Sequence, residues 1–208
     1  MSDFKNKLLL LNKHSGPTSF DVVAAVRRAT AIKRVGHTGT LDPLASGVLL
    51  VCTGRATRAV EQFMNLAKAY EFTVILGVET STLDAEGDIL RQASVPEIPD
   101  ADVVAAAESF VGPYDMAPPA YSAIKKNGKR LYELARAGKN AVADSRMVTI
   151  HDVQVTRVAL PEIDFQIRCS RGTYVRSFAR DFGAAFGLPA HLRRLVRLSI
   201  GPFKIEDA

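Results

Sequence analysis

Two hydrophobic periods run through this chain, one near 3.6 and one of 2, with turn-forming clusters between them. Lys7 to Asn12 carries four leucines and reads as a first strand, followed by a turn at Ser15-Gly16-Pro17. Thr18 with Asp21 three positions on has the form of a capping box. It opens a predicted helix to about Thr30, with Phe20, Val23, Ala24 and Val26 or Ala31 on its apolar face. Val48 to Cys52 is apolar throughout and reads as a buried strand. Gly54 to Met64 is predicted helical with Val60, Phe63 and Met64 inward, Ala69 to Gly77 alternates as a strand, and Thr80 to Gly87 is a polar loop. Pro96 and Pro99 mark a boundary before a helix at Asp100 to Phe110, with Asp100 as its cap. Gly112 to Lys126 reads as irregular, and Arg130 to Ala137 as a short helix stopped by Gly138. Met147 to Val158 and Ile163 to Ser170 form a predicted strand pair joined at Pro161. Thr173 to Phe186 is amphipathic, with Val175, Phe178, Ala179, Phe182 and Phe186 on one face, and Arg194 to Ile200 is a last strand.

Strands and helices are interspersed without a regular βαβ repeat. The expected class is therefore α+β, with a mixed, mostly antiparallel central sheet flanked by helices. Residues 112–143 combine Pro, Gly and Lys with few core positions and read as a mobile insertion. The 208 residues, 47% of them hydrophobic, are enough for a single domain spanning 1–208. No apolar run approaches the ~20 residues of a membrane helix, and Leu8 to Leu11 is too short for a signal-peptide core. The expected location is the cytoplasm. Cys52 and Cys169 sit in apolar surroundings and read as reduced core thiols, with no metal-ligand spacing.

A net charge of +5 and a pI near 9.3 suit a polyanionic partner. The basic residues cluster at Arg27-Arg28, Lys33-Arg34, Lys125-Lys126, Lys129-Arg130 and Arg193-Arg194-Arg197, whereas residues 79–108 are acidic. A one-sided basic surface is the expectation.

The most informative stretch is Gly36-His37-Thr38-Gly39-Thr40-Leu41-Asp42-Pro43-Leu44-Ala45-Ser46-Gly47. It sets one carboxylate in a turn of Gly, Pro, Thr and Ser, directly before the buried strand. Asp before Pro is an ordinary turn former. A carboxylate on a loop held by a rigid element is also where catalytic groups are found. Four other stretches have a similar character: Leu10-Leu11-Asn12-Lys13, Lys68-Ala69-Tyr70, Ala117 to Lys125 running into Gly128-Lys129-Arg130-Leu131-Tyr132, and Ser170-Arg171-Gly172-Thr173-Tyr174-Val175-Arg176.

Taken together, these motifs resemble the TruB family of tRNA pseudouridine synthases, in order from about Leu8 to about Ile200. The Gly-His-Thr-Gly-x-Leu-Asp-Pro-x-Ala-x-Gly and Arg-Gly-Thr-Tyr-x-Arg patterns carry it. The resemblance implies isomerisation of uridine 55 in the T-loop of tRNA, with no cofactor and no metal. The glycosidic bond to nitrogen is broken, the base turns, and it is rejoined through carbon. Asp42 matches the family's catalytic Asp, whether it attacks the sugar or the base. Arg176 matches the arginine that pairs with it, Tyr70 the active-site tyrosine, and Tyr174 a position near the site. His37 matches a histidine that enters the T-loop, where the base must be flipped out of its stack. Lys13 matches a lysine near the site, suited to a phosphate, although many relatives follow it with Pro where this chain has His14. Lys125, Lys126, Lys129 and Arg130 fall on an insertion that closes over RNA in the family. The implied partner is the T-arm stem-loop of tRNA, bound by a monomer without guide RNA or membrane. The C-terminal RNA-binding PUA domain of many bacterial relatives is expected to be absent, since the chain ends at Ala208.

Taken by composition alone, Arg176 reads as a surface arginine, Tyr70 and Tyr174 as buried tyrosines, and His37 as a turn histidine. His14, His151 and His191 have no motif match and read as structural or surface residues. Three other functions use the same residues: an RNA-binding module without catalysis, a hydrolase built on a lone Asp, and a dyskerin-type enzyme working with guide RNA. Hydrolysis usually employs two carboxylates. Asp84 and Asp88 lie in the polar loop, where turns account for them.

Overall fold

The computed structural model describes residues 4–122, 125–126, 129–130 and 144–208. The elements in chain order are β1 (Leu8–Lys13), α1 (Ser19–Thr30), β2 (Val35–His37), β3 (Ser46–Thr53), a 3₁₀ turn (Gly54–Ala59), α2 (Val60–Asn65) and β4 (Lys68–Leu76). Then follow β5 (Val78–Thr80), β6 (Ile89–Gln92), α3 (Asp100–Glu108), β7 (Gly112–Met116), β8 (Lys125–Lys126) and β9 (Lys129–Arg130). The chain closes with β10 (Arg146–Ala159), β11 (Glu162–Cys169), α4 (Val175–Ala185), β12 (Ala190–Ile200) and β13 (Phe203–Lys204). The class is α+β with mostly antiparallel strand pairing. Two compact units are present, Met1–Glu71 with Leu195–Ala208, and Phe72–Arg194.

In the first unit β3 is the centre. It pairs antiparallel with β1, from Leu8 opposite Cys52 to Lys13 opposite Gly47. β2 pairs antiparallel with the end of β3, and β12 joins the start of β3 in parallel, with Arg197 opposite Gly47. Leu49 and Val51 pack with Val23 and Val35 beneath α1, while Val48 and Leu50 face the other way, toward Ile200, Phe63 and Phe203. Burial of both faces is why the sequence here is apolar without alternation. The capping box of α1 is formed: Asp21 N donates to Thr18 Oγ1 at 3.1 Å, and Thr18 N donates to Asp21 Oδ2 at 2.8 Å.

In the second unit β7, β10 and β11 form an antiparallel run, with Arg146 opposite Met116 and Ile150 opposite Cys169. The Leu160–Pro161 bond in the β10–β11 connection is cis. α4 buries Val175, Phe178, Ala179 and Phe182, as its periodicity predicts. Phe178 sits among Phe72, Phe165 and Phe110 with ring centroids 4.9–5.7 Å apart, spacings at which aromatic pairs attract. Cys52 and Cys169 are both buried and are not joined in a disulfide.

Several expectations need correction. Phe20 is 63% exposed and lies under the Arg27 guanidinium, 5.8 Å from its ring centroid, instead of in the core. Val22 and Val26 take the packing role expected of it. The predicted helix from Gly54 starts as a 3₁₀ turn, and only Val60–Asn65 is α-helical. Pro99, not Asp100, caps α3, and Asp100 lies in the first turn. Gly112–Met116, expected to be irregular, is the strand β7, and the β5–β6 hairpin was not expected. The helix predicted at Arg130 to Ala137 and most of the insertion predicted at 112–143 lie outside the described residues. Of that insertion, β8 and β9 pair as a short hairpin, Lys125 opposite Arg130 and Lys126 opposite Lys129. Their side chains lie outside the description.

Candidate active site

The Asp42 loop belongs to the first unit and is held by several hydrogen bonds. Asp42 O accepts from Ala45 N at 3.1 Å, closing a turn with Pro43 at its second position, where a fixed φ is favourable. The turn reading and the functional reading of Asp42 therefore describe one geometry. Pro43 O accepts from Gly16 N at 2.9 Å. Leu41 N donates to Ser19 Oγ at 2.8 Å, and Ser19 Oγ donates to Leu41 O at 3.1 Å, so the start of α1 fixes the residue before the carboxylate. Asp42 itself is half-buried, so the loop does not wall it off from solvent.

Lys13 lies beneath this loop. It is 2% exposed, and its ammonium donates to His14 O at 2.9 Å, Pro43 O at 3.3 Å and Ala45 O at 2.6 Å. Those carbonyls hold its ammonium against the turn. The end of the loop meets β12. Arg197 is buried beside Gly47, and its guanidinium donates to Val48 O at 2.7 Å and Gly39 O at 3.2 Å.

His37 ends β2, half-buried, and its Nδ1 accepts from Gly39 N at 3.2 Å. That bond leaves the proton on Nε2 of the neutral ring. Burial pushes the His37 pKa below its usual 6.5, and the nearby Arg197 charge lowers it further. Tyr70 is buried near the start of β4 in the same unit. From Val22 to Val60 the chain carries six Lys and Arg and a single acid, Asp42. The carboxylate thus sits in a stretch of chain rich in cations, a charge balance that attracts polyanions.

The second unit holds the other motif. Arg176 is the second residue of α4 and is buried, which excludes the surface reading. Its guanidinium donates to Thr82 O at 2.9 Å and Tyr121 O at 3.0 Å, and Nε lies 3.6 Å from Asp84 Oδ2. Asp84 is buried too, and its Oδ1 accepts from Thr82 Oγ1 at 2.5 Å and Glu86 N at 3.1 Å. Sequence reasoning assigned Asp84 to an ordinary turn. The turn is real, but the acid also faces Arg176. The available signal was an Asp flanked by Thr82 and Gly87, ambiguous without a partner in view.

Tyr174 is half-buried, with the Arg146 guanidinium 4.7 Å from its ring centroid and its backbone N–H donating to Met116 Sδ at 3.1 Å. α4 also grips residues 114–121 through Ser177 Oγ to Ala117 O at 2.8 Å and Arg180 to Ala117 O at 3.2 Å. Tyr114 donates to Asp181, and burial followed by that bond pushes its pKa well up.

The basic cluster at the C-terminal end is split, with Arg193 and Arg194 exposed and Arg197 in the core. Arg193 pairs with Glu162, and Arg197 is buried. His191 is a core residue bonded to Val78 O at 2.9 Å, and His14 and His151 are exposed, as expected. Among the described residues no three His, Cys, Asp or Glu side chains converge on a metal position, and no helix is long and apolar enough to cross a membrane.

Comparison with known proteins places these features in context. The model of the TruB family pseudouridylate synthase N terminal domain matches residues 27–175. A tRNA pseudouridine synthase B of Burkholderia pseudomallei (strain 668) is 46% identical over 201 residues, covering 97% of this chain and 66% of that protein. The protein of the same name from Clostridium perfringens is 43% identical over 204 residues, covering 98% and 69%. This chain thus spans about two thirds of the length of such relatives. A chain in the crystal structure of a Cbf5-Nop10-Gar1 complex superposes with a TM-score of 0.75 at 27% identity, over 97% of this chain and 50% of that one.

Proposed function

The chain belongs to the TruB family of pseudouridylate synthases, and on that premise we propose that it isomerises uridine 55 in the T-loop of tRNA to pseudouridine, with Asp42 as the nucleophile. The observation that carries this is the Asp42 loop: a half-buried aspartate on a turn whose neighbours are fixed by Ser19, Lys13 and Arg197. A nucleophile held in one geometry is presented to substrate without further ordering.

In the reaction the bond between the ribose C1′ and N1 of the base breaks, the base rotates, and C1′ bonds to C5. The C5 hydrogen leaves as a proton and N1 gains one. Asp42 attacks as the carboxylate, and the bond it forms to the sugar or the base is broken again before pseudouridine leaves. Arg176 is assigned the pairing role implied by the motif, Tyr70 the stacking of the flipped base, and Tyr174 a place beside it. His37 is assigned the space vacated in the T-loop, as a neutral imidazole. Lys125, Lys126, Lys129 and Arg130 supply phosphate contacts, which makes binding strongly salt-dependent. Lys13 acts on RNA through the loop it supports.

The reading extends to a monomer acting in the cytoplasm on the T-arm alone. The 46% identity to a protein named tRNA pseudouridine synthase B, against 27% to a chain of a Cbf5-Nop10-Gar1 complex, supports this over a guide-RNA particle. A bare T-arm stem-loop labelled with tritium at uridine C5 tests it. The parent protein releases tritium without added guide RNA, and Asp42→Ala releases none. Equal release by Asp42→Ala removes the nucleophile assignment. Dependence on guide RNA removes the stand-alone reading, and free uracil among the products replaces isomerisation with hydrolysis.

A further inference from the structure

We infer that Arg197 is a positioning residue that staples both ends of the Asp42 loop and so sets where the carboxylate and His37 stand. This rests on the assignment of Asp42 as the reacting group and adds a residue to it from outside both signature motifs.

The backbone of Arg197 holds the far end of the loop. It lies opposite Gly47 in the parallel β3–β12 register. Gly47 has φ +103, and a Cβ there would lie 2.8 Å from Arg197 N and closer still to its O. Only glycine allows the strands to approach this closely. The side chain of the same residue turns to the near end. Nη2 donates to Gly39 O at 3.2 Å while Nε donates to Val48 O at 2.7 Å. One residue thus grips positions 39, 47 and 48, and Asp42 lies between them.

The chemistry of the contact argues that it is more than packing. Arg197 is 1% exposed, among the most deeply buried large side chains. Among the described residues it makes no ion pair, and its guanidinium is solvated by backbone carbonyls. Burying a cation in this way is unfavourable, and an apolar residue of similar volume packs at least as well. A planar fork that reaches two carbonyls at once is what an apolar residue cannot supply, and Lys presents only a point charge. Gly39 links the staple to chemistry. Its carbonyl takes the Arg197 bond and its N–H donates to His37 Nδ1. The two bonds lie on the two peptide units that flank the Gly39 Cα, so holding the carbonyl restrains the residue whose N–H sets Nδ1 of His37 as the acceptor.

The test uses the full chain as Arg197→Lys and Arg197→Met, with Asp42→Asn as control. Four readouts are taken: melting temperature, affinity for a T-arm stem-loop, single-turnover rate at saturating RNA, and the ¹⁵N signals of the His37 ring. In folded Arg197→Lys the rate is expected to fall about 10- to 100-fold, the scale of a misplaced reacting group. RNA affinity stays within about twofold, because a buried side chain touches no phosphate. The His37 signals shift toward mixed tautomers, which a loss of global stability alone would not cause. Folded variants with parental rate and parental His37 signals overturn the inference. If neither variant folds, the parent decides. The Arg197 Nε–H must then exchange at least about 100-fold more slowly than that of an exposed arginine, and free exchange overturns the staple. Activity in Asp42→Asn would instead overturn the function on which the inference rests, and an inactive Asp42→Asn beside fully active Arg197 variants overturns only the staple.

Discussion

Arg176 Nε lies 3.6 Å from Asp84 Oδ2, and the two side chains are 5% and 6% exposed. Asp84 is itself held by Thr82 and Glu86, and Arg176 by the carbonyls of Thr82 and Tyr121. The orientation of the guanidinium is thus specified by a loop that the sequence presents as plain polar turn.

Asp84→Ala should therefore destabilise the protein by about 3 kcal/mol, the usual scale for removing one partner of a buried pair. In a chain of this size that lowers the melting temperature by roughly 6–12 °C. Thermal and urea unfolding check it, alongside tritium release from folded variant. A melting temperature within 1–2 °C of the parent, on the order of a surface substitution, would show that Arg176 does not depend on Asp84.

Gly47→Ala tests the close approach of β3 to β12. A positive φ costs an L-residue about 1–2 kcal/mol, and forcing a methyl against backbone adds about 1–3. The expected loss is about 3 kcal/mol or more, read by urea unfolding. An unchanged midpoint contradicts the contact with Arg197.

Thr38 makes the opposite prediction. It is fully buried, its N–H donates to Leu50 O at 3.0 Å, and among the described residues nothing bonds its hydroxyl. Removing an unsatisfied hydroxyl while keeping the shape is close to neutral or stabilising. Thr38→Val is expected to match or exceed the parental stability, whereas Thr38→Ala loses about 1 kcal/mol to the missing methyl. A clear loss in Thr38→Val would mean that the hydroxyl has a partner in solution.

His37 gives stability a pH dependence with a definite sign. Burial, then the Arg197 charge, holds its pKa below the usual 6.5. In the unfolded chain the ring takes a proton near 6.5, while the folded protein resists until lower pH. Between those values the unfolded state binds more protons, so this contribution is complete above the unfolded pKa and is lost as pH falls. The urea midpoint of the parent should drop more steeply than that of His37→Gln between about pH 6.5 and 5. Parallel curves would show that the ring titrates normally.

The sequence made β3, the capping box of α1 and the apolar face of α4 readable, because each rests on local periodicity or on a four-residue motif. It misplaced Phe20, which falls on the predicted helical stripe yet projects to solvent, since which edge of the stripe meets the sheet is settled by tertiary packing. It missed β5, β6 and β7, which are short and carry no clean apolar alternation, and which are held by pairing with other segments of the chain. Around the site, the Asp42 loop and the Arg176 motif stood out through the patterns that resemble the TruB family, whereas composition alone pointed to a turn and a surface arginine. The roles of Asp84 and Arg197 were not, because each depends on a partner more than 90 positions away in the chain.

The most direct measurement is the yield of pseudouridine at position 55 of tRNA, read by mass spectrometry after incubation with the parent protein or with Asp42→Asn. The parent should convert that uridine and leave other uridines intact, while Asp42→Asn, equally folded and still bound to tRNA, should convert none. Parental yield from Asp42→Asn, or no conversion at position 55 by the parent, would contradict the assignment of that carboxylate as the reacting group.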